Sequence, residues 1–282
     1  MRILLCSTRD LMGCLILNQL IPALAGHRLG VLLADKTRNV DSAVVELAEI
    51  KLLERTLLNT TVFPLLDSLP PDPGTRRWTF QGLARRFQVP FQILHDDREF
   101  AGGHHWIGEF RPDWVISARF GFIFDQAAID AVAGRMVNFH PGALPAYAGQ
   151  FPVLRAMLRD ESHIGCTLHY ITAGIDRGPV LDRRWIPVNR QHSHFFHRRA
   201  ITELGMTALI EFLERVAGGE HPAGETQDRQ RRHYYGWPDA REFEAARKAG
   251  IVNMSPAEYL ALLREFRPGL EVADQLTALS GS

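Results

Sequence analysis

The strongest constraint on the fold lies in the first 35 residues of the chain. "RILLCS", Arg2–Ser7, is a short apolar run suited to a strand buried on both faces. "DLMGCLILNQLIPAL" follows and reads as a helix, with Leu11, Leu15 and Leu20 among its apolar positions. "LGVLLAD", Leu29–Asp35, is a second strand. Strand, helix and strand in this order predict an α/β protein built on a doubly wound, mostly parallel sheet. The opening apolar run is too short for a signal peptide, because Thr8, Arg9 and Asp10 interrupt it at once.

The same alternation continues. A helix is expected from Asp41 to about Leu58, then a Pro/Gly-rich loop over Asp67–Arg77. "FQGLARRFQ" reads as helix, "VPFQIL" as strand, and "FAGGHHWIGEF" as a weaker helix ended by Arg111-Pro112. "WVISARF", Trp114–Phe120, and "MVNFH", Met136–His140, are strands on either side of the helix "DQAAIDAVAG". A helix "FPVLRAMLRD", an alternating strand His163–Ile171 and an extended "GPVLDRRWIPV" come next. Ser193 caps a long helix whose expected apolar stripe is Phe196, Ala200, Leu204, Ala208 and Phe212.

From about Glu220 the character changes. Asp239 with Glu242, and Ser255 with Glu258, are capping-box signatures of two short helices. Pro256 fits a first helical position, and Gly250 and Gly269 fit helix stops. The expected organisation is a main domain over residues 1–216 and a small C-terminal helical lobe over residues 217–282.

Composition sets limits on function. Lys+Arg and Asp+Glu both number 32 in 282 residues, so no net field favours nucleic acid or an anionic membrane. No run of about 18 apolar residues suggests a membrane span. Cys6, Cys14 and Cys166 have no CxxC spacing, which predicts free thiols in a reducing, cytoplasmic setting. His192, His194 and His197 crowd the start of the long helix, but no accompanying ligand pair has zinc spacing, so a helix-start surface and no metal are expected. Arg229, Arg231 and Arg232 beside Tyr234 and Tyr235 are too short a basic stretch to argue for nucleic acid.

The chemistry concentrates at "VNFHPGALPAY", Val137–Tyr147. Side chains alternate along a strand, so Asn138 and His140 face one way, and Pro141 ends the strand beneath them. Open parallel sheets bind ligands beyond the carboxyl ends of their strands. "ITAGIDRGPVL" carries Asp176 on a tight loop between glycines, where a carboxylate can reach and orient an imidazole. An amide and an imidazole can hold an oxyanion, and a His–Asp pair can take up and return protons. No hydroxyl or thiol nucleophile stands beside them, which favours direct attack by an acceptor amine.

"GRMVNFHPGALPAYAG" followed by "GIDRGPVL" closely resembles the folate-dependent formyltransferases, whose pattern is N-x-H-P/A-S-L-L-P-x-Y-x-G and then D-x-G-x-I/V-L. Gly142 and Ala143 replace the usual Ser and Leu, and His140 and Asp176 stand 36 positions apart, similar to the family's spacing. The resemblance implies a Rossmann-like formyltransferase fold with Asn138, His140 and Asp176 as catalytic trio and 10-formyltetrahydrofolate as formyl donor. It implies folate contacts from Phe120, Gly121, Phe122, Ile123 and Phe124, and from Ile171, Thr172, Ala173, Gly174 and Ile175. Gly142, Ala143, Leu144 and Pro145 would complete that wall, and Thr8, Arg9 and Asp10 would meet the acceptor.

The expected activity is N-formyl transfer to a small-molecule amine, such as an amino-sugar nucleotide or a hydroxylated ornithine, with a homodimer left open. Methionyl-tRNA fits less well, given the short tail and neutral charge. Glycinamide ribonucleotide fits less well because "STRDLMG" has only Gly13 to approach a phosphate. The competing readings are a formyltetrahydrofolate hydrolase and an inactive folate-binding protein. Such hydrolases usually carry an N-terminal regulatory domain, whereas this sequence opens on the first strand.

Overall fold

The computed structural model describes residues 1–36, 44–70 and 72–268. Its strands are β1 (Arg2–Thr8), β2 (Arg28–Ala34), β3 (Phe91–Leu94), β4 (Trp114–Ala118), β5 (Met136–His140), β6 (Ala148–Gly149), β7 (His163–Tyr170), β8 (Val180–Pro187) and β9 (Tyr234–Tyr235). The helices are α1 (Leu11–Ala23), α2 (Val45–Lys51), α3 (Phe63–Ser68), α4 (Phe80–Phe87), α5 (Asp97–Phe100), α6 (His104–Phe110), α7 (Gln126–Ala131), α8 (Pro152–Leu158), α9 (His194–Ala217), α10 (Ala240–Lys248) and α11 (Pro256–Phe266).

Seven strands form one sheet in the order β3-β2-β1-β4-β5-β7-β8. The first five are parallel, while β7 and β8 run antiparallel at one side. This is the doubly wound, mostly parallel architecture that the opening strand-helix-strand run predicts. The chain winds outward from β1 in both directions, which leaves a crevice beyond the carboxyl ends of β1 and β4. Apolar side chains cover both faces of the sheet. Leu5, Val31, Ile116, Val137 and Phe139 point into one cluster, and Leu4, Leu32, Val115 and Met136 into the other.

Asp10 caps α1 by accepting a hydrogen bond from the Gly13 backbone at 2.8 Å. The helix is buried nearly all round, since α11 covers its first turn. The helix expected from Asp41 begins at Val45 and continues as wider turns through Leu52–Thr56 and Leu58–Val62 into α3. Asp41 itself and Gly269 lie outside the described residues. Gly102 and Gly103, both at positive φ, break the weak helix over Phe100–Phe110 into α5 and α6.

Two further details depart from the sequence reading. The buried face of α9 runs through Phe195, Ile201, Gly205, Leu209, Phe212 and Val216. A spacing of four overshoots the 3.6-residue turn, so Phe196, Ala200 and Leu204 drift to a half-buried flank. The Asp239 capping box closes as expected. At Ser255 only half of it forms, because the Glu258 carboxylate turns to Ser193 and His192 instead. The tail packs closely on the sheet domain. Phe243, Ala246 and Ile251 join the cluster around Phe139, and Tyr259, Leu262, Leu263 and Phe266 join that around Leu11.

Candidate active site

Asn138 and His140 end β5, the strand beside β4, and both line a cavity of about 340 Å³ at the crevice. Strand parity turns the two side chains to the same side, as the sequence predicts. Pairing to β7 then sets His169 directly opposite Asn138. The Asn138 amide is held at both ends. Its oxygen accepts from Ser117 Oγ at 2.8 Å, and its nitrogen lies 3.1 Å from His169 Nε2. Nδ1 of His169 donates to the Tyr170 carbonyl at 2.8 Å, which leaves Nε2 to accept from the amide.

The buried His140 donates from Nε2 to the Tyr147 carbonyl at 2.6 Å. Its Nδ1 therefore faces Asp176 Oδ2, 3.6 Å away. The other Asp176 oxygen lies 3.6 Å from His169 Nε2, and Oδ2 also accepts from the Gly149 backbone at 2.9 Å. Burial alone would push the Asp176 carboxyl up. The nearby His140 and His169 rings and the Gly149 N–H outweigh it and hold the group well below the usual carboxylate range.

The rest of the cavity divides by chemistry. Phe120, Gly121 and Ile175 form part of its wall. Phe122 and Phe124 are buried against Phe100, Ile123 is exposed, and Ile171 packs on the same apolar cluster. Thr172 and Ala173 are exposed and Gly174 is half-buried, just ahead of Asp176. The Gly142–Pro145 loop is tied down by Thr167, whose hydroxyl donates to Gly142 O at 2.8 Å and accepts from Leu144 N at 3.0 Å. Ala143 sits beside this bond and packs against the main core.

Thr8 and Asp10 line the cavity on the β1 side. Arg9 is not brought there. It pairs with Asp35 at 2.9 Å, a carboxylate that Arg55 also holds at 2.6 Å. Asp10 instead meets Arg119 at 2.8 Å, and the buried Glu54 accepts from both terminal guanidinium nitrogens of Arg198 at 2.6 and 2.9 Å. His194 and His197 are both buried, which corrects the expected helix-start surface. Their turn of α9 is covered by Val252 and Asn253, whose carbonyls accept its first N–H groups. His194 lines the cavity.

Sequence reasoning missed His169, Ser117, Glu54, Arg119 and Arg198, and put His194 on a surface instead of in the site. For His169 a signal was present: it shares strand parity with the buried Thr167 in "CTLHY". The others reach the site across long sequence separations that no local pattern marks.

Residues 99–213 match the family model described as formyl transferase. A methionyl-tRNA formyltransferase of Dehalococcoides mccartyi is 33% identical over 126 residues, covering 45% of this chain and 40% of that protein. A formyltetrahydrofolate deformylase of Haemophilus influenzae is 26% identical over 137 residues, 47% of this chain and 49% of that protein. The chain thus spans about half, or less, of the length of these curated relatives. An N-formyltransferase from Helicobacter canadensis, solved with folinic acid and dTDP-3-aminofucose, shares the fold with a TM-score of 0.57. It is 14% identical, over 91% of this chain and 85% of its own. The resemblance to the folate-dependent formyltransferases is borne out over the matched segment, which contains Asn138, His140 and Asp176.

Proposed function

We propose, for a chain whose residues 99–213 are of the formyl transferase family, that it moves a formyl group from 10-formyltetrahydrofolate to a small-molecule amine. The domain of residues 1–216 would carry the reaction, with residues 217–282 as its C-terminal lobe. The observation that carries this reading is the convergence of Asn138, His140 and Asp176 on one cavity at the crevice of the sheet. The folate donor is supported by the solved neighbour that holds folinic acid. Phe120 and Ile175 offer apolar surface, next to Gly121, on the wall beside the trio. These residues would hold the donor, which supplies an activated formyl carbon.

The protein's own groups have separable tasks. Asn138 gives one amide hydrogen to His169, and its second is available for the negative charge that develops on the formyl oxygen. His140 has its Nε2 hydrogen committed to Tyr147, so Nδ1 is the atom that takes up a proton as the amine attacks. The new N–H would point at Asp176, whose low-lying ionisation keeps it charged as counter-ion. A thiol nucleophile has no support. Burial pushes Cys166 to about 12 and Cys6 and Cys14 higher still, so no thiolate forms at neutral pH. Direct transfer to the amine follows.

The acceptor side argues against a phosphate at the start of α1. Asp10 already occupies that helix end with its own carboxylate. An amino acid derivative, or an amino sugar whose phosphates lie elsewhere, suits the site better than glycinamide ribonucleotide. The deformylase relative keeps hydrolysis as the second reading. Release of tetrahydrofolate from 10-formyltetrahydrofolate, measured with and without a panel of amines, separates the outcomes. Release that needs an amine supports transfer, and release without one means hydrolysis. No release under any condition, with 5-formyltetrahydrofolate still bound, means a folate-binding protein.

A further inference from the structure

Asp176 has a left-handed backbone, with φ at 52°, a conformation that a non-glycine residue keeps only when its surroundings hold it. The carbonyls of this turn accept from side chains far along the chain. The buried Gln227 donates from Nε2 to Asp176 O at 3.1 Å and to Gly178 O at 2.7 Å. Arg232 donates to Asp176 O at 3.3 Å and to Ile175 O at 3.0 Å.

The same stretch also holds the other side of the site. His233 N donates to Pro145 O at 3.2 Å, Ala148 N to His233 O at 3.0 Å and Gln150 N to Tyr235 O at 2.9 Å, so β9 runs parallel to β6. Between these anchors lie Tyr147, whose carbonyl fixes His140, and Gly149, whose N–H fixes Asp176. Upstream, Glu225 and Val180 exchange backbone hydrogen bonds at 2.7 and 2.8 Å. Residues 225–235 therefore grip both loops that meet at the His140–Asp176 pair, from outside the segment 99–213 that matches the family.

We propose that Gln227 and Arg232 are positioning residues, and that the segment 225–235 is a clamp that aligns Asp176 with His140. This rests on the formyl-transfer reading given above. A displacement of the carboxylate by about an ångström from its working place is expected to cost on the order of 100-fold in rate. Ile175 on this turn also stands on the wall beside the trio, so folate affinity is expected to fall too, but by less than the rate.

The test compares wild type with Gln227→Met, Arg232→Ala and the double variant in the full chain. Gln227→Met keeps the length and removes the donor, and Arg232 is half-exposed, so its loss is tolerated by the fold. Tetrahydrofolate release is expected to fall about 10- to 100-fold in kcat in the double variant. Calorimetric affinity for 5-formyltetrahydrofolate should fall by much less than kcat, and Arg232→Lys should recover part of the Arg232→Ala loss. A double variant with kcat within threefold of wild type overturns the clamp, as does a rate loss matched by lost folate affinity. A second arm needs no activity. Histidine ring NMR signals of His140, assigned by His140→Asn, should move in the double variant as they do in Asp176→Asn. Wild-type-like His140 signals overturn the clamp. A wild type that neither binds 5-formyltetrahydrofolate nor releases tetrahydrofolate defeats the formyl-transfer reading, while the NMR arm still decides the clamp. If the double variant does not fold, Arg232→Ala alone carries both arms.

Discussion

The Asp176 carboxylate lies 3.6 Å from Nδ1 of His140, with both side chains buried. Two groups this close act as one unit. Asp176→Asn keeps the shape and removes the counter-charge for a proton on Nδ1. We expect Asp176→Asn to be nearly inactive while folded, and the double variant with His140→Asn to be little worse than either single one. Measured kcat/KM for the four proteins, with circular dichroism as the folding control, checks this. Fully multiplicative losses would mean that the residues work independently.

Asn138→Ala removes the amide that is free to meet the formyl oxygen. Loss of one such donor typically lowers kcat by about 100- to 1000-fold. Folate affinity should change little. A drop smaller than tenfold at unchanged stability would sink the oxyanion role.

His169→Leu takes away the acceptor that holds the Asn138 amide at 3.1 Å. The amide can then turn, and kcat is expected to fall by roughly 10- to 100-fold with KM nearly unchanged. His169→Gln, which can still accept a hydrogen bond, should lose less. Equal losses in both variants would make His169 a packing residue.

His194 predicts an acid-sensitive fold. Burial, reinforced by the Arg198 charge, lowers its ionisation from 6.5 to about 3. A histidine depressed in the fold resists protonation there but not in the unfolded chain. Its contribution is therefore intact above about 6.5 and is lost progressively as pH falls from there toward 3. His194→Gln removes this titration. Between pH 7.5 and 5, wild type should lose about 2 kcal/mol more than the variant in denaturant unfolding. His197 is lowered too, but it titrates in both proteins and cancels. Parallel pH curves would show that His194 is protonated without cost.

Gly13 has no room for a side chain, because a Cβ there would meet the Thr8 carbonyl at 1.9 Å. Gly13→Ala must push the β1–α1 turn apart and should cost about 1–3 kcal/mol. Thermal unfolding reads this directly. An unchanged midpoint would mean that the turn relaxes freely.

What could be read from the sequence alone rests on local periodicity. Apolar runs of strand length alternating with helices specified the parallel sheet, and parity put Asn138 and His140 on one side of β5. The glycine-framed loop marked Asp176 as a partner for His140, since turn chemistry is written in adjacent residues. Tertiary structure decided the rest. His169 meets Asn138 because β7 folds back antiparallel on β5, 31 positions along the chain. Arg9 points to Asp35 because β2 lies beside β1 and carries that carboxylate to it. His194 and His197 are buried because residues near 252 cover the start of α9. Gln227 and Arg232 reach the Asp176 turn from 49 to 57 positions away. Hydrogen bonds of that span depend on where the sheet order sends the chain, and neither helix nor strand period records it.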